Sequence, residues 1–216
     1  MTRETLRDAR RSAILAAVIR ALARDGVAES TTRTLAASAE VNQATLRYYF
    51  GSKDDLLLAV LQELMRNTRE VVLGVITPGA LAEQADIRQV IADGMTAFWT
   101  YVEKQPELQM IQLELTLYTQ RRAESAWLAR EQYAGYVSVI ETILRESFSL
   151  LGRTSATPFE QIARFLVAGF DGLTLQYLSD HDNARARRDL HTLIVAVIAL
   201  VGAQPPPLHS GEEGRR

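Results

Sequence analysis

The amino-acid sequence predicts an all-α fold of about nine helices: an N-terminal three-helix unit carrying a helix-turn-helix, then a larger helical body. Three observations predict it. Apolar residues recur at three- and four-residue spacing, and no stretch alternates as a strand does. Residues 31–53, TTRTLAASAEVNQATLRYYFGSK, read as two short helices joined by a tight turn and followed by the capped start of a longer one. Two segments near the C-terminus are apolar on nearly every side, and such helices must be buried on every side.

The first helix, α1, is expected over residues 7–25. Ile14, Val18 and Leu22 recur every four residues with Leu15 and Ile19 beside them, and Gly26 is a natural stop. Arg3, Arg7, Arg10 and Arg11 lead into it and suit either DNA phosphates or a solvated arm. The second helix, α2, opens at Thr31 or Thr32, whose side chain can satisfy a backbone N–H and lie near a phosphate. Leu35, Ala36 and Ala39 form its inner face, Val41 sits in the turn, and Leu46 and Phe50 continue the seam along α3, residues 42–49. This is the spacing of a helix-turn-helix, whose second helix projects into the DNA major groove. Off the seam lie Gln43, Ala44, Thr45, Arg47, Tyr48 and Tyr49. Gln can bond an adenine edge, Arg a guanine edge, and Ala and the Thr methyl can touch a thymine methyl. Tyrosine hydroxyls and Lys53 suit phosphate oxygens. The competing reading is a short amphipathic helix with a solvated polar face. Two adjacent exposed tyrosines beside Arg and Gln argue against it. Ser52 then caps α4, with Asp54 and Asp55 in its first turn and Leu56, Leu57, Val60, Leu61 and Leu64 carrying it to about residue 72.

Gly74, Pro78 and Gly79 mark a loop, the best candidate for a domain boundary. The domains expected are 1–53, with α4 connecting over about 53–73, then a body over 74–203 and a disordered tail over 204–216. In the body, α5 is expected over 87–103, closed by Gln105-Pro106. α6 opens at Pro106 and runs to about 118, and α7 spans 124–150 with Gly152 ending it. The two nearly all-apolar helices are α8, residues 158–178, and α9, residues 184–201. As a pair at the end of a chain they suit a four-helix interface with a second copy.

Composition excludes several classes. The 216 residues are 47% hydrophobic with ordinary charge content, which is globular rather than disordered. Cysteine is absent, so disulfides and thiolate metal sites are excluded and a reducing cytoplasm fits. The N-terminus lacks the apolar core of a signal peptide, and no apolar run approaches the ~20 residues that span a bilayer. Residues 1–53 hold nine basic and five acidic side chains, a surplus of four positive charges. With −2 overall, the remainder carries −6. A basic front on an acidic body matches a DNA-facing module attached to something that stays off DNA. His181, His191 and His209 are the three histidines. Ser179, Asp180 and His181 are adjacent in sequence, but a triad needs convergence in space. No HExxH, P-loop or G-x-S-x-G pattern occurs, so an enzyme, a cofactor and a metal site are not expected.

Thr32, Leu35-Ala36, Val41, Thr45-Leu46, Tyr48-Tyr49-Phe50 and Lys53, in register, resemble the N-terminal pattern of the TetR/AcrR family of bacterial transcription regulators. The match covers about the first quarter of the chain. Two positions depart from it: Glu40 stands where the turn often has Gly, and Arg47 where Tyr is common. The resemblance implies that Gln43, Ala44, Thr45, Arg47 and Tyr48 face base edges while Thr32, Arg33, Tyr49 and Lys53 grip the backbone, with the two tyrosines exchangeable. It implies a homodimer on double-stranded palindromic operator DNA, most often a repressor released by a small-molecule effector; an activator would read the same. The effector candidates are Phe98, Trp99, Met110, Leu113, Glu114, Leu117, Tyr118, Trp127, Tyr133, Phe170 and Gln176, with Tyr101 and Tyr136 nearby. The alternative for each is an ordinary core or surface residue. Glu114 and Gln176, if buried in an apolar wall, would need a partner such as a cationic ligand. The dimer candidates are Phe165, Gly169, Gly172, Leu173, Leu190, Ile194, Val197 and Val201. Residues 171–178 also resemble a stretch of betaine- and pyrimidine-responsive members. An architectural DNA binder without a ligand is the rival, and it predicts a filled core where a regulator predicts a cavity.

Overall fold

The computed structural model describes residues 3–75 and 86–202. Among these residues there are nine α-helices and no strand. They are α1 Arg3–Asp25, α2 Thr32–Ser38, α3 Gln43–Phe50, α4 Lys53–Val75, α5 Ile87–Lys104, α6 Pro106–Gln120, α7 Ala126–Leu150, α8 Phe159–Asp180 and α9 Asn183–Gly202. The expected helices are all present, with ends displaced by a few residues. α1 starts four residues early, so its leading arginines belong to a helix rather than an arm. Gly74, expected in a loop, lies inside α4, while Pro78, Gly79 and the tail fall outside the described residues.

Local chemistry sets the boundaries of the N-terminal helices. Thr31 caps α2 reciprocally with Thr34, each side chain bonding the other residue's backbone N–H. Asn42 caps α3 by accepting the Thr45 N–H at 2.7 Å. Ser52 and Asp55 form the corresponding box at the start of α4. α2 ends in a Schellman turn: the Val41 N–H reaches the Ala36 carbonyl at 3.0 Å and the Glu40 N–H reaches Ala37 at 3.0 Å. This turn needs a left-handed residue at position 40, and Glu40 adopts it with φ 53°.

Two apolar clusters organise the chain. The first joins the inner faces of α1, α2 and α3 to the N-terminal half of α4, and extends to Ile111 and Leu115 of α6 and Leu128 of α7. The second is built by α5, α7, α8 and α9 around Trp99, Phe148 and Phe170. The Trp99 indole N–H donates to Glu103 at 3.0 Å, and Glu103 pairs with Arg187 of α9 at 2.7 and 2.9 Å.

The structure corrects the reading of α8 and α9. Leu190, Ile194, Val197 and Val201 are buried against the same chain, Val197 completely, so they form the inner face and are not available to a second copy. Gly169 has a similar intramolecular duty, since a Cβ there would meet Leu193 Cδ1 of α9 at 2.6 Å. Leu173 is half-buried against the second cluster. Gly172 faces open space, and Phe165, Leu175 and Val195 are exposed large apolar residues on these two helices. Among the described residues no helix is long and apolar enough to cross a membrane.

Candidate functional site

The polar face of α3 is presented outward. Gln43, Ala44, Arg47 and Tyr48 are exposed, whereas Thr45 and Tyr49 are half-buried; Leu46 and Phe50 anchor the helix from behind. Tyr49 is edge-on to Tyr48 at 5.1 Å and packs on the first cluster, so Tyr48 is the freer of the two rings. Arg7 of α1 lies over the Tyr48 ring at 5.7 Å and Arg11 over Phe50 at 4.9 Å. Two of the leading arginines therefore steady the C-terminal end of α3. Beside this helix are Thr32, half-buried, and Arg33, exposed, in the first turn of α2. Lys53 donates to the Ser30 carbonyl, which ties the start of α4 to the loop before α2. Two of its three ammonium hydrogens are left for another acceptor.

Within the body, a cavity of about 130 Å³ lies between α4, α5, α6, α7 and α8. Its walls are mainly aliphatic and aromatic, including Ile91, Met95, Phe98, Leu113, Val167 and Phe170. Phe98 and Phe170 meet edge-to-face at 4.9 Å. The polar part includes Thr68, Arg69, Gln109, Gln112, Tyr136, Ser147, Asp171 and Thr174. Thr68 donates to Gln112 at 3.2 Å and also bonds the hydroxyls of Tyr101 and Tyr136. Burial pushes the Tyr136 phenol up to about 12, so it stays a neutral donor. Asp171 hydrogen-bonds the Tyr133 hydroxyl; its carboxyl lies above the usual carboxylate range because burial outweighs that bond.

Residues 86–200 match the family described as tetracyclin repressor-like, C-terminal domain, and residues 14–60 match the bacterial regulatory proteins of the tetR family. The chain belongs to the TetR family. Its members are DNA-binding transcriptional regulators rather than enzymes. Among its relatives is the HTH-type nicotine-responsive transcriptional repressor HdnoR of Paenarthrobacter nicotinovorans, 28% identical over 197 residues, covering 89% of this chain and 96% of that protein. The HTH-type transcriptional regulator BetI of Paraburkholderia phymatum is 27% identical over 188 residues, covering 78% and 93%. The crystal structure of a transcriptional regulator from Rhodococcus sp. Rha1 shares the fold with a TM-score of 0.70 at 18% identity, covering 90% of this chain and 99% of that one.

Set into the TetR fold, the residues picked out by sequence separate into groups. Phe98, Leu113 and Phe170 line the cavity. Trp99 does not: its indole is satisfied by Glu103, and the ring is a core plate stacked on Phe170 at 6.5 Å. Met110, Leu117 and Trp127 are exposed, as is Gln176, whose backbone carbonyl accepts from Ser179 and Arg185. Tyr133 lies behind the wall, edge-on to Tyr136 at 6.5 Å and beside Asp171. Glu114 and Tyr118 point the other way, toward the DNA-reading helices. Glu114 Oε2 accepts the Val27 N–H at 3.1 Å, and the Tyr118 hydroxyl donates to Asp54 Oδ1 at 2.6 Å, with Arg122 stacked over its ring at 3.6 Å. Sequence reasoning passed over Thr68, Gln112 and Asp171. The available signal was Asp171 itself, the single charge between Arg164 and Asp180 on a largely apolar helix.

Proposed function

We propose that the chain is a repressor that binds a palindromic operator as a homodimer and releases it when a small molecule occupies the body cavity. One observation carries this reading. α4 has its N-terminal half in the core of the helix-turn-helix, while Thr68, Arg69 and Val72 of its C-terminal half line the cavity. A ligand that fits one position of α4 better than another must shift the DNA-reading unit with it. α6 offers a parallel link, with Gln109 and Gln112 on the cavity and Glu114 and Tyr118 bonded to the DNA-reading side. An architectural binder would have no use for such a cavity. A repressor among the relatives supports repression as the direction of control.

In this reading α1 to α3 form the DNA module, α4 connects, and residues 86–202 form the effector and dimerisation body of a cytoplasmic protein. Gln43, Ala44, Arg47 and Tyr48 read base edges; Thr45 adds its methyl; Thr32, Arg33, Tyr49 and Lys53 hold phosphates. The second copy covers the outer stripe of Phe165, Gly172 and Leu175 with Val195, and the two α3 helices sit ~34–36 Å apart, one DNA turn. The test is binding of the purified protein to its own upstream intergenic DNA at fixed salt, against random-sequence competitor. Tight binding at two protomers per site supports the reading. Weak, salt-sensitive binding without sequence preference overturns it.

A further inference from the structure

Among the described residues the cavity walls contain one acidic side chain, Asp171, and its surroundings are unusual for a structural carboxylate. The residues beside it on α8 that share the wall are Val167, Phe170 and Thr174. The hydroxyl of Tyr133 is its hydrogen-bond partner, and no ion pair with it forms among the described residues. Burial disfavours its ionised form, so in isolation this position is a cost to the fold. The basic residue on the wall, Arg69 of α4, is exposed, so its charge is already solvated. The other titratable wall group, Tyr136, stays neutral. The aromatic rings of Phe98, Phe170 and Tyr136 line the same cavity, Phe98 edge-on to Phe170, the neighbour of Asp171 on α8. Aromatic faces and a half-buried carboxylate attract the same thing, a positive charge on an apolar body.

We infer that the cavity selects a small organic cation, a protonated amine whose N–H bonds Asp171 while its apolar body lies among Phe98, Phe170 and Tyr136. A volume of about 130 Å³, at ~10–15 Å³ for each water-sized group, holds a ligand of roughly ten non-hydrogen atoms. Binding restores to Asp171 the charge partner that the fold withholds, so the amine is preferred over a neutral molecule of the same shape. This inference rests on reading the cavity as the effector site.

The experiment compares three probes of one size by calorimetry on the full chain: N,N-dimethylbenzylamine, its carbon isostere isobutylbenzene, and phenylacetate. The amine is expected to bind about 10–100-fold more tightly than the isostere, and Asp171→Asn to abolish that difference while leaving isobutylbenzene unchanged. Asp171→Asn removes a charge whose burial is unfavourable, so the variant is expected to fold. The probe comparison on the unmodified protein stands without it. Equal binding of amine and isostere, tighter binding of phenylacetate, no binding of the amine, or an amine affinity indifferent to Asp171→Asn would each overturn the inference. Operator affinity measured with and without the amine separates the two levels. Amine binding through Asp171 that leaves operator affinity unchanged defeats the regulatory reading but not the ligand class. Release by a neutral compound alone does the reverse.

Discussion

Arg47 and Lys53 are six residues apart and bear the same charge, yet their settings assign them different work. Arg47 is exposed in the last turn of α3, on the face the groove would meet. Arg47→Ala should cost about 1–3 kcal/mol on the preferred operator and relax sequence choice there. Lys53 is half-buried and already tied to Ser30. Lys53→Ala should weaken all DNA about equally and flatten the salt dependence. Competition binding at several salt concentrations measures both, and a uniform loss from Arg47→Ala would remove it from base reading. Glu103 shows how a charged residue serves the core. The Arg187 hydrogen bonds, more than the indole of Trp99, hold its carboxyl below the ordinary value of 4.5. A depressed folded value stabilises above the unfolded one and is lost as pH falls through the folded one. Glu103→Gln should therefore cost about 1 kcal/mol near neutrality, with the gap to the parent closing below about pH 4.5. Urea unfolding across that range would expose an offset that fails to close, and such an offset would mean lost packing rather than lost charge.

At the scale of elements, the α2–α3 turn is the informative case. Its Schellman hydrogen bonds demand a left-handed residue, and a Cβ makes that conformation unfavourable. Glu40→Gly should raise stability by about 1 kcal/mol, read as a higher denaturant midpoint at unchanged slope. A lower midpoint would show that the Glu40 side chain holds the turn in some other way. The departure from the usual glycine was visible in the sequence, but its consequence was not, since only the backbone angle shows that the bend is kept at a cost. α6 illustrates a different limit. Its periodicity marks Glu114 and Tyr118 as polar positions on a helix, which fits a ligand-facing role for both. In the fold they face Val27 and Asp54, across 87 and 64 residues of sequence. Spacing along one helix tells which residues share a face, not which neighbour that face meets.

For the whole molecule, the same limit decides the dimer surface. α8 and α9 are apolar around much of their circumference, and sequence alone could not separate the side turned to the protomer core from the side turned outward. Val197 is fully buried, while Val195, two residues away, is about half exposed. Val197→Glu should unfold the chain, because it leaves an unpaired charge inside the second cluster. Val195→Glu should leave the fold intact and shift the protein from dimer to monomer in sedimentation. A Val195→Glu protein that remains a dimer at micromolar concentration would move the interface elsewhere.

By itself, the sequence determined the all-helical class, the positions of the nine helices among the described residues to within a few residues, and the exposure of Gln43, Ala44, Arg47 and Tyr48 on α3, though not the partial burial of Thr45 and Tyr49. These features depend on periodicity and caps, which are local: the helix that exposes Arg47 is the one whose own Leu46 and Phe50 require burial. Only the tertiary structure decided which residues bound the cavity. It moved Trp99 into the core, turned Glu114 and Tyr118 toward the DNA-reading helices, and brought Thr68 and Asp171, about a hundred residues apart in sequence, to one wall. A cavity is a difference between what five helices could fill and what they do fill, and no single helix carries that difference in its own pattern.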